Sequence, residues 1–351
     1  MTRKLILVLL TCGFCNTYSQ TGGNSIYNFL ELTNSARAAA LGGHQIGIYD
    51  DDLNFVYDNP SLLNESMSNQ LSLNYIPYID KINYGYVSYA KTFNTLGNFA
   101  AGIHYINYGQ FIEADDLGNK NGQFSANDFS LNIYYSRHII DSLFNVGVTY
   151  KIIYSQMEIY KSLGMAFDAG ITYHNPDNLF ATALVIKNCG VELYTYDRNG
   201  TRESLPFEIQ YGLSQKLRYA PFRISILVQH LETPDLRYTS VLDSINQTDP
   251  LTGETKPQNK LGNFADDVMR HMIFGLEFLP SKAFVLRVGY NYQRRQELKI
   301  VDKTALVGFS WGFGINISKF HISYGHAKYH LAAGSNTISV SVNLNDFKKK
   351  F

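Results

Sequence analysis

The chain has 351 residues with 30 Lys+Arg against 30 Asp+Glu, enough for one large domain or two ordinary ones and without net charge. That balance excludes the basic footprint of a nucleic-acid-binding protein. Only 3 cysteines stand against 26 Tyr and 22 Phe, which excludes a disulfide-stapled scaffold and suggests many sites where a ring is apolar at one end and wet at the other.

Arg3 and Lys4 precede an apolar stretch from Leu5 to Leu10, and Thr17-Tyr18-Ser19 gives a small-x-small pattern before Gln20. This predicts a secretory signal peptide over residues 1–19, cut near Ser19. The stretch is far shorter than the roughly 20 apolar residues of a spanning helix. Cys12 comes too early for a lipid-modification site, and Cys15 follows the bulky Phe14. Removing the signal leaves Cys189 alone, so no intrachain disulfide forms, and 28 Lys+Arg face 30 Asp+Glu.

Residues 20–68 do not alternate. Ile26, Phe29 and Leu30 have helical spacing, and Asn34 or Ser35 caps a second short helix that ends at Gly42-Gly43. Asp50-Asp51-Asp52 is a run of consecutive acids, not the alternate spacing of a calcium loop, and reads as a solvated turn. Asp58-Asn59-Pro60 follows. The apolar content favours a plug inside a barrel over a periplasmic tail.

From residue 69 onward the chain alternates apolar and polar positions. Val146, Val148, Tyr150 and Ile152 interleave with Gly147, Thr149 and Lys151, and Ile338, Val340, Val342 and Leu344 interleave with Ser339, Ser341 and Asn343. Period two puts each set on one face. Apolar outside and polar inside is the signature of a transmembrane β-barrel, the only alternative to helices for satisfying the backbone in lipid. The reading gives about fourteen strands: 69–78, 82–92, 97–109, 125–138, 142–155, 163–174, 178–188, 206–218, 221–231, 269–279, 282–295, 303–316, 319–328 and 335–346. A soluble sandwich also alternates, but here short links (139–141, 175–177, 219–220, 280–281, 317–318) take turns with longer ones (110–124, 156–162, 189–205, 232–268, 296–302, 329–334) along most of the chain, the short first hairpin around Ile79 to Lys81 on the predicted outer side being the exception. Barrels do this because periplasmic turns are short and outer loops long.

The extracellular loop 232–268 is long enough to suggest a partner-binding role, with Tyr238, Thr239, Asn246, Pro250 and Pro257 as candidate contacts. Lys151, Asp168, Glu208, Arg223, Glu277 and Arg287 fall on predicted lumen faces, where charges of both signs suggest a structural salt-bridge network rather than proton chemistry. The nine His residues show no metal-ligand spacing, and no nucleophile elbow is present. Gly312 and Gly314 alternate with Trp311, Phe313 and Ile315 and read as lumen-side strand glycines, not a nucleotide loop. No catalytic residue, metal or cofactor is expected, and the chain does not read as an enzyme.

The stretch Asn34-Ser-Ala-Arg-Ala-Ala-Ala-Leu-Gly-Gly43, with Asp50–Asp52 and Asp58-Asn-Pro-Ser-Leu-Leu63, resembles the PorV/PorQ family, related to the FadL fatty-acid transporters. The segments Asn69–Tyr78, Ala101–Tyr108 and Phe124–Leu131 look closer to PorQ than to PorV. The resemblance implies a fourteen-stranded FadL-like barrel of the cell outer membrane with an N-terminal plug. It also implies a scaffold role in the attachment complex of the type IX secretion system, anchoring a PorZ-like surface protein beside a PorU-like sortase and a PorV-like barrel. Arg37 and Gly42-Gly43 would then shape the plug, and Asn59-Pro60 would turn it toward the first strand. The alternative is FadL-like transport of a hydrophobic small molecule, although no basic pair for a fatty-acid carboxylate is recognisable.

Overall fold

A set of amphipathic strands leaves no unpaired backbone in lipid only if the sheet closes on itself. The computed structural model describes residues 25–139, 143–197, 200–237, 260–298, 306–328 and 334–347. The predicted signal peptide and the candidate contacts Tyr238, Thr239, Asn246, Pro250 and Pro257 lie outside them. The strands are β1 (Gln70–Pro77), β2 (Asn83–Phe93), β3 (Gly97–Ala114), β4 (Lys120–Ile139), β5 (Phe144–Met157), β6 (Tyr160–Asn175), β7 (Phe180–Tyr194), β8 (Glu208–Lys216), β9 (Phe222–Val228), β10 (Met272–Phe278), β11 (Phe284–Asn291), β12 (Phe309–Ile317), β13 (Phe320–Lys328) and β14 (Gly334–Asn343). Each pairs antiparallel with its sequence neighbours, and β1 closes the ring on β14, with Leu71 facing both Tyr89 and Val342.

The two faces differ as lipid and lumen require. Outward positions of β5 are Phe144, Val146, Val148, Tyr150, Ile152 and Tyr154, while Asn145, Thr149, Lys151 and Ser155 point inward and are buried. Leu73, Val87, Ile103, Ile133, Phe167, Leu184, Leu276, Val288 and Ile338 continue the exposed apolar surface around the ring. A soluble monomer does not expose a belt of this extent. Outward aromatics mark its two borders. At the short-turn end Phe93, Phe99 and Tyr135 make edge-on and tilted ring contacts in series, and Phe222 meets Phe278, and Phe320 meets Phe347, in the same way. At the other end Tyr75, Tyr105 and Tyr324 turn their hydroxyls to Asn83, Asn127 and Asn336. Phe144 and Tyr154 lie ten residues apart on β5; at the usual rise and a tilt near 40° that is about 25 Å along the barrel axis, the height of a membrane-barrel apolar band.

Strand ends depart from the sequence reading in several places: β7 continues to Tyr194 instead of stopping at 188, and β12 begins at Phe309 instead of 303. Residues 110–124 and 156–162 are not long loops but continuations of β3–β4 and β5–β6. Asp115 closes the first hairpin by accepting from the Leu117 and Asn119 amides, so its polar residues sit in a paired ribbon. Glu158, at φ 58°, turns the second. β11 stops at Asn291, where the sequence reading runs to 295, because the Asn291 side chain accepts from the Arg294 amide and starts a helix. Numbering the helices α1 (Ala36–Ala40), α2 (Lys260–Arg270) and α3 (Tyr292–Leu298), α2 and α3 stand over the long-loop rim.

Candidate functional site

Residues 25–69 run down the lumen from the long-loop end to the start of β1. Ser25 bridges to Ser204 near the upper rim, and Ile26, Phe29 and Leu30 pack on Ile76, Tyr84 and Ile106. At the lower end Leu53, Val56, Leu63 and Met67 pack on Ala90, Ala100 and Tyr134. Between these contacts Ala38, Leu41, Ile48, Phe55 and Leu62 form the segment's own small core.

Helix α1 begins at Ser35, whose hydroxyl accepts from the Ala38 amide. It ends where Gly43 donates to the Ala38 carbonyl at 2.9 Å, a left-handed closure in which Gly42 and Gly43 have φ of 107° and 131°. Asn59 accepts from the Ser61 amide to start the turn at Pro60, and its amide group donates to the Ile46 carbonyl and to Thr172 on the wall. The wall meets this segment backbone to backbone. A Cβ at Gly147 would overlap Pro60 and Ser61, and one at Gly47 would come within 2.7 Å of the Leu213 amide. Wall side chains finish the segment's orphan backbone groups: Ser339 accepts from the Ala36 amide, Ser310 donates to the Ala40 carbonyl, Ser214 to Gly47 and Asn145 to Ser61.

Two ion clusters tie plug to wall. In the lower one Arg37 directs all five of its N–H groups at carboxylates: Nε and Nη2 to Glu277, Nη1 to Asp50 and Asp52, and Nη2 again to Asp50. Arg223 bridges Asp50 and Glu277 at 2.8 and 2.9 Å, and Arg287 reaches Glu277 at 3.0 Å. Three cations thus meet three anions in a largely buried site. The Asp50 carboxyl is held well below its usual range: burial raises it, but Arg37 and Arg223 outweigh burial. Asp50 and Asp52 are therefore ion-paired, correcting the reading of a solvated turn.

The upper cluster lies mid-lumen. Lys151 Nζ sits 2.8 Å from Asp168, an ion pair angled away from hydrogen bonding, and donates to the Asn188 side chain. Lys187 pairs with Asp58 at 3.2 Å, and His44 lies 2.9 Å from the same carboxylate. Burial pushes the Asp58 carboxyl up, but Lys187 and His44 bring it down to about 2. Glu208 belongs to neither cluster; it faces His230 at the upper rim at 3.6 Å. Sequence reading placed Arg37 in the plug and the six wall charges in the lumen, but did not pair them, and it missed Lys187, Asp58 and His44.

Among the described residues, two cavities adjoin these clusters. One of about 560 Å³ opens at the short-turn end beside the lower cluster, with Leu279 and Val285 its only apolar side chains. The other, about 240 Å³, lies at the upper rim among Glu31, His44, Glu208, His230, Arg294 and Glu297. Neither is the apolar chamber that a hydrophobic solute fills. Among the described residues no group of three or more His, Cys, Asp or Glu is placed to hold a metal ion.

No protein-family model matches the chain, and no curated protein sequence does. Solved structures do match in shape. The toluene transporter TodX of P. putida has 12% identity and a TM-score of 0.52, with 90% of this chain and 99% of that one covered. Its deltaS2 mutant, described as a monoaromatic hydrocarbon channel, has 13% identity and a TM-score of 0.52, with 89% and 98% covered. A FadL homologue of Pseudomonas aeruginosa has 10% identity and a TM-score of 0.47, with 89% and 98% covered. At such identities the likeness is one of fold. The chain is a closed fourteen-stranded antiparallel barrel that shares the fold of the TodX barrel. That is the fold class its alternation and link lengths predict.

Proposed function

We propose that this protein is a plugged barrel of the cell outer membrane that serves as a scaffold, presenting its long-loop end to a surface partner. The observation that carries the reading is the seating of the plug: Arg37 spends every donor on fixed carboxylates, and wall glycines admit plug backbone where any side chain would clash. A segment held by buried ion pairs and interlocked backbone resists displacement, which suits a rigid anchor better than a gate. The finer placement rests on the PorV/PorQ sequence resemblance alone: a role in the type IX secretion attachment complex, with a PorZ-like partner near PorU-like and PorV-like components.

The second reading is a transporter of a hydrophobic small molecule. The comparisons favour it, because the matched barrels are described as a toluene transporter and a monoaromatic hydrocarbon channel, and they lend nothing to the secretion role. One pair of measurements separates the two. The scaffold reading expects the purified protein to leave toluene uptake into proteoliposomes at the empty-vesicle rate, and to retain a PorZ-like protein when isolated from its own membrane in mild detergent. Saturable toluene uptake without that partner would establish the transporter.

A further inference from the structure

The lower cavity contains more hydrogen-bond donors than the protein uses. Arg37 is fully satisfied, but Arg223 spends only Nη1, on Asp50 and Glu277. Arg287 spends only Nε, on Glu277, and one Nη1 proton, on Ser323. Each guanidinium carries five N–H groups, so each keeps three without a protein acceptor among the described residues. Both residues line the cavity, and their free nitrogens are not closed off from solvent. Arg287 is nonetheless 3% exposed, held rigidly by Glu277 and Ser323. Lys216 and Lys282 stand at the mouth, while Asp50, Asp52 and Glu277 are already engaged. The lining holds Arg37, Arg223, Arg287, Lys216 and Lys282 against Asp50, Asp51, Asp52 and Glu277, one positive charge in excess with His321 neutral.

We infer that this cavity is a binding site for a singly charged oxyanion group, a carboxylate or phosphate, entering from the short-turn end. Guanidinium groups match such oxygens two at a time, and a pre-positioned fork loses little freedom on binding. The surplus charge is the one that such a group neutralises. The site is formed in part by the plug itself, through Arg37 and Asp50 to Asp52, and opens at the short-turn end.

Calorimetric titration of the full-length protein in detergent, with propionate and separately with inorganic phosphate, tests it. Propylamine is the control. Expected is saturable binding of at least one oxyanion and none of propylamine, weakened about tenfold by Lys216→Gln/Lys282→Gln and by Arg223→Lys, which keeps charge but loses the fork. Lys216 and Lys282 are exposed, and among the described residues neither side chain has a hydrogen bond or ion pair, so that variant stays folded and keeps the test decisive. Binding of propionate alone would assign a carboxylate ligand, and of phosphate alone a phosphate one. No binding of either at about 10 mM, or equal binding in both variants, would overturn the inference.

Discussion

Replacing Arg37 by Ala isolates what holds the plug. The change removes five charge-assisted hydrogen bonds and takes the lower cluster from three cations and three anions to an excess of one anion. Asp50 keeps Arg223, and Glu277 keeps both Arg223 and Arg287, but Asp52 loses its one ion-pair partner among the described residues. Removing one partner of a buried ion pair costs about 3–5 kcal/mol, which lowers the ratio of seated to unseated plug by roughly 10² to 10⁴. The barrel ladder makes no use of Arg37, so the cost falls on the plug and not on strand pairing. The assay is twofold: migration of unheated protein in a gel, which reports the closed barrel, and planar-bilayer conductance with protease access at residues 25–69, which reports the plug. The expected variant runs as a folded barrel yet conducts ions and is cut in the plug. Arg37→Lys, keeping the charge without the fork, falls between. Wild-type conductance and protease resistance in Arg37→Ala would refute the cluster as the lock.

Gly147→Val drives a side chain into the Pro60–Ser61 backbone and should loosen the same plug by about 1–3 kcal/mol without altering barrel migration; protease access at residues 53–67 measures it. At the upper rim burial lowers the His230 imidazole, but Glu232 and Glu208 raise it to about 9. Its folded value exceeds the unfolded one near 6.5, so its stabilisation, at most about 3 kcal/mol, is complete below pH 6.5 and disappears as pH rises through 9. Protease protection of the 229–237 segment should fall over that window in the wild type and stay flat in His230→Gln. Val148 faces outward midway between the aromatic borders of β5. Val148→Lys should cost about 2–4 kcal/mol in denaturant titrations of vesicle-folded protein, whereas a change under 1 kcal/mol would place that face away from hydrocarbon.

The barrel was legible because its signal is local. A residue's face follows from its parity along the strand, so Val146 or Ser339 declares itself without knowledge of its neighbours. Turn position was legible for the same reason, through Asn175-Pro176-Asp177 and Pro280-Ser281. Where the reading missed, a side chain acted on backbone in a way composition does not show. The Asp115 carboxylate folds a polar stretch into a ribbon, and Asn291 converts the end of a strand into a helix start. The pairings of the plug were not legible, since Arg37 meets Glu277 across 240 residues of sequence.

The charges of the plug nonetheless contain part of that answer. Between residues 20 and 68 Arg37 is the only Lys or Arg, against Glu31, Asp50, Asp51, Asp52, Asp58 and Glu65. An acidic segment enters a low-dielectric lumen only if the wall supplies cations, because an unpaired buried carboxylate is strongly disfavoured. Cations at inward parity are therefore not free to be interpreted strand by strand. Lys187, Arg223 and Arg287 are the wall's answer to the plug, and Arg223 and Arg287 could be anticipated from parity. Lys187 keeps the inward phase of Ala181, Ala183 and Val185, and alternation fails only after it, at Asn188, where the register shifts; Lys187 escapes because Leu184, Val185 and Ile186 make both faces of that stretch apolar.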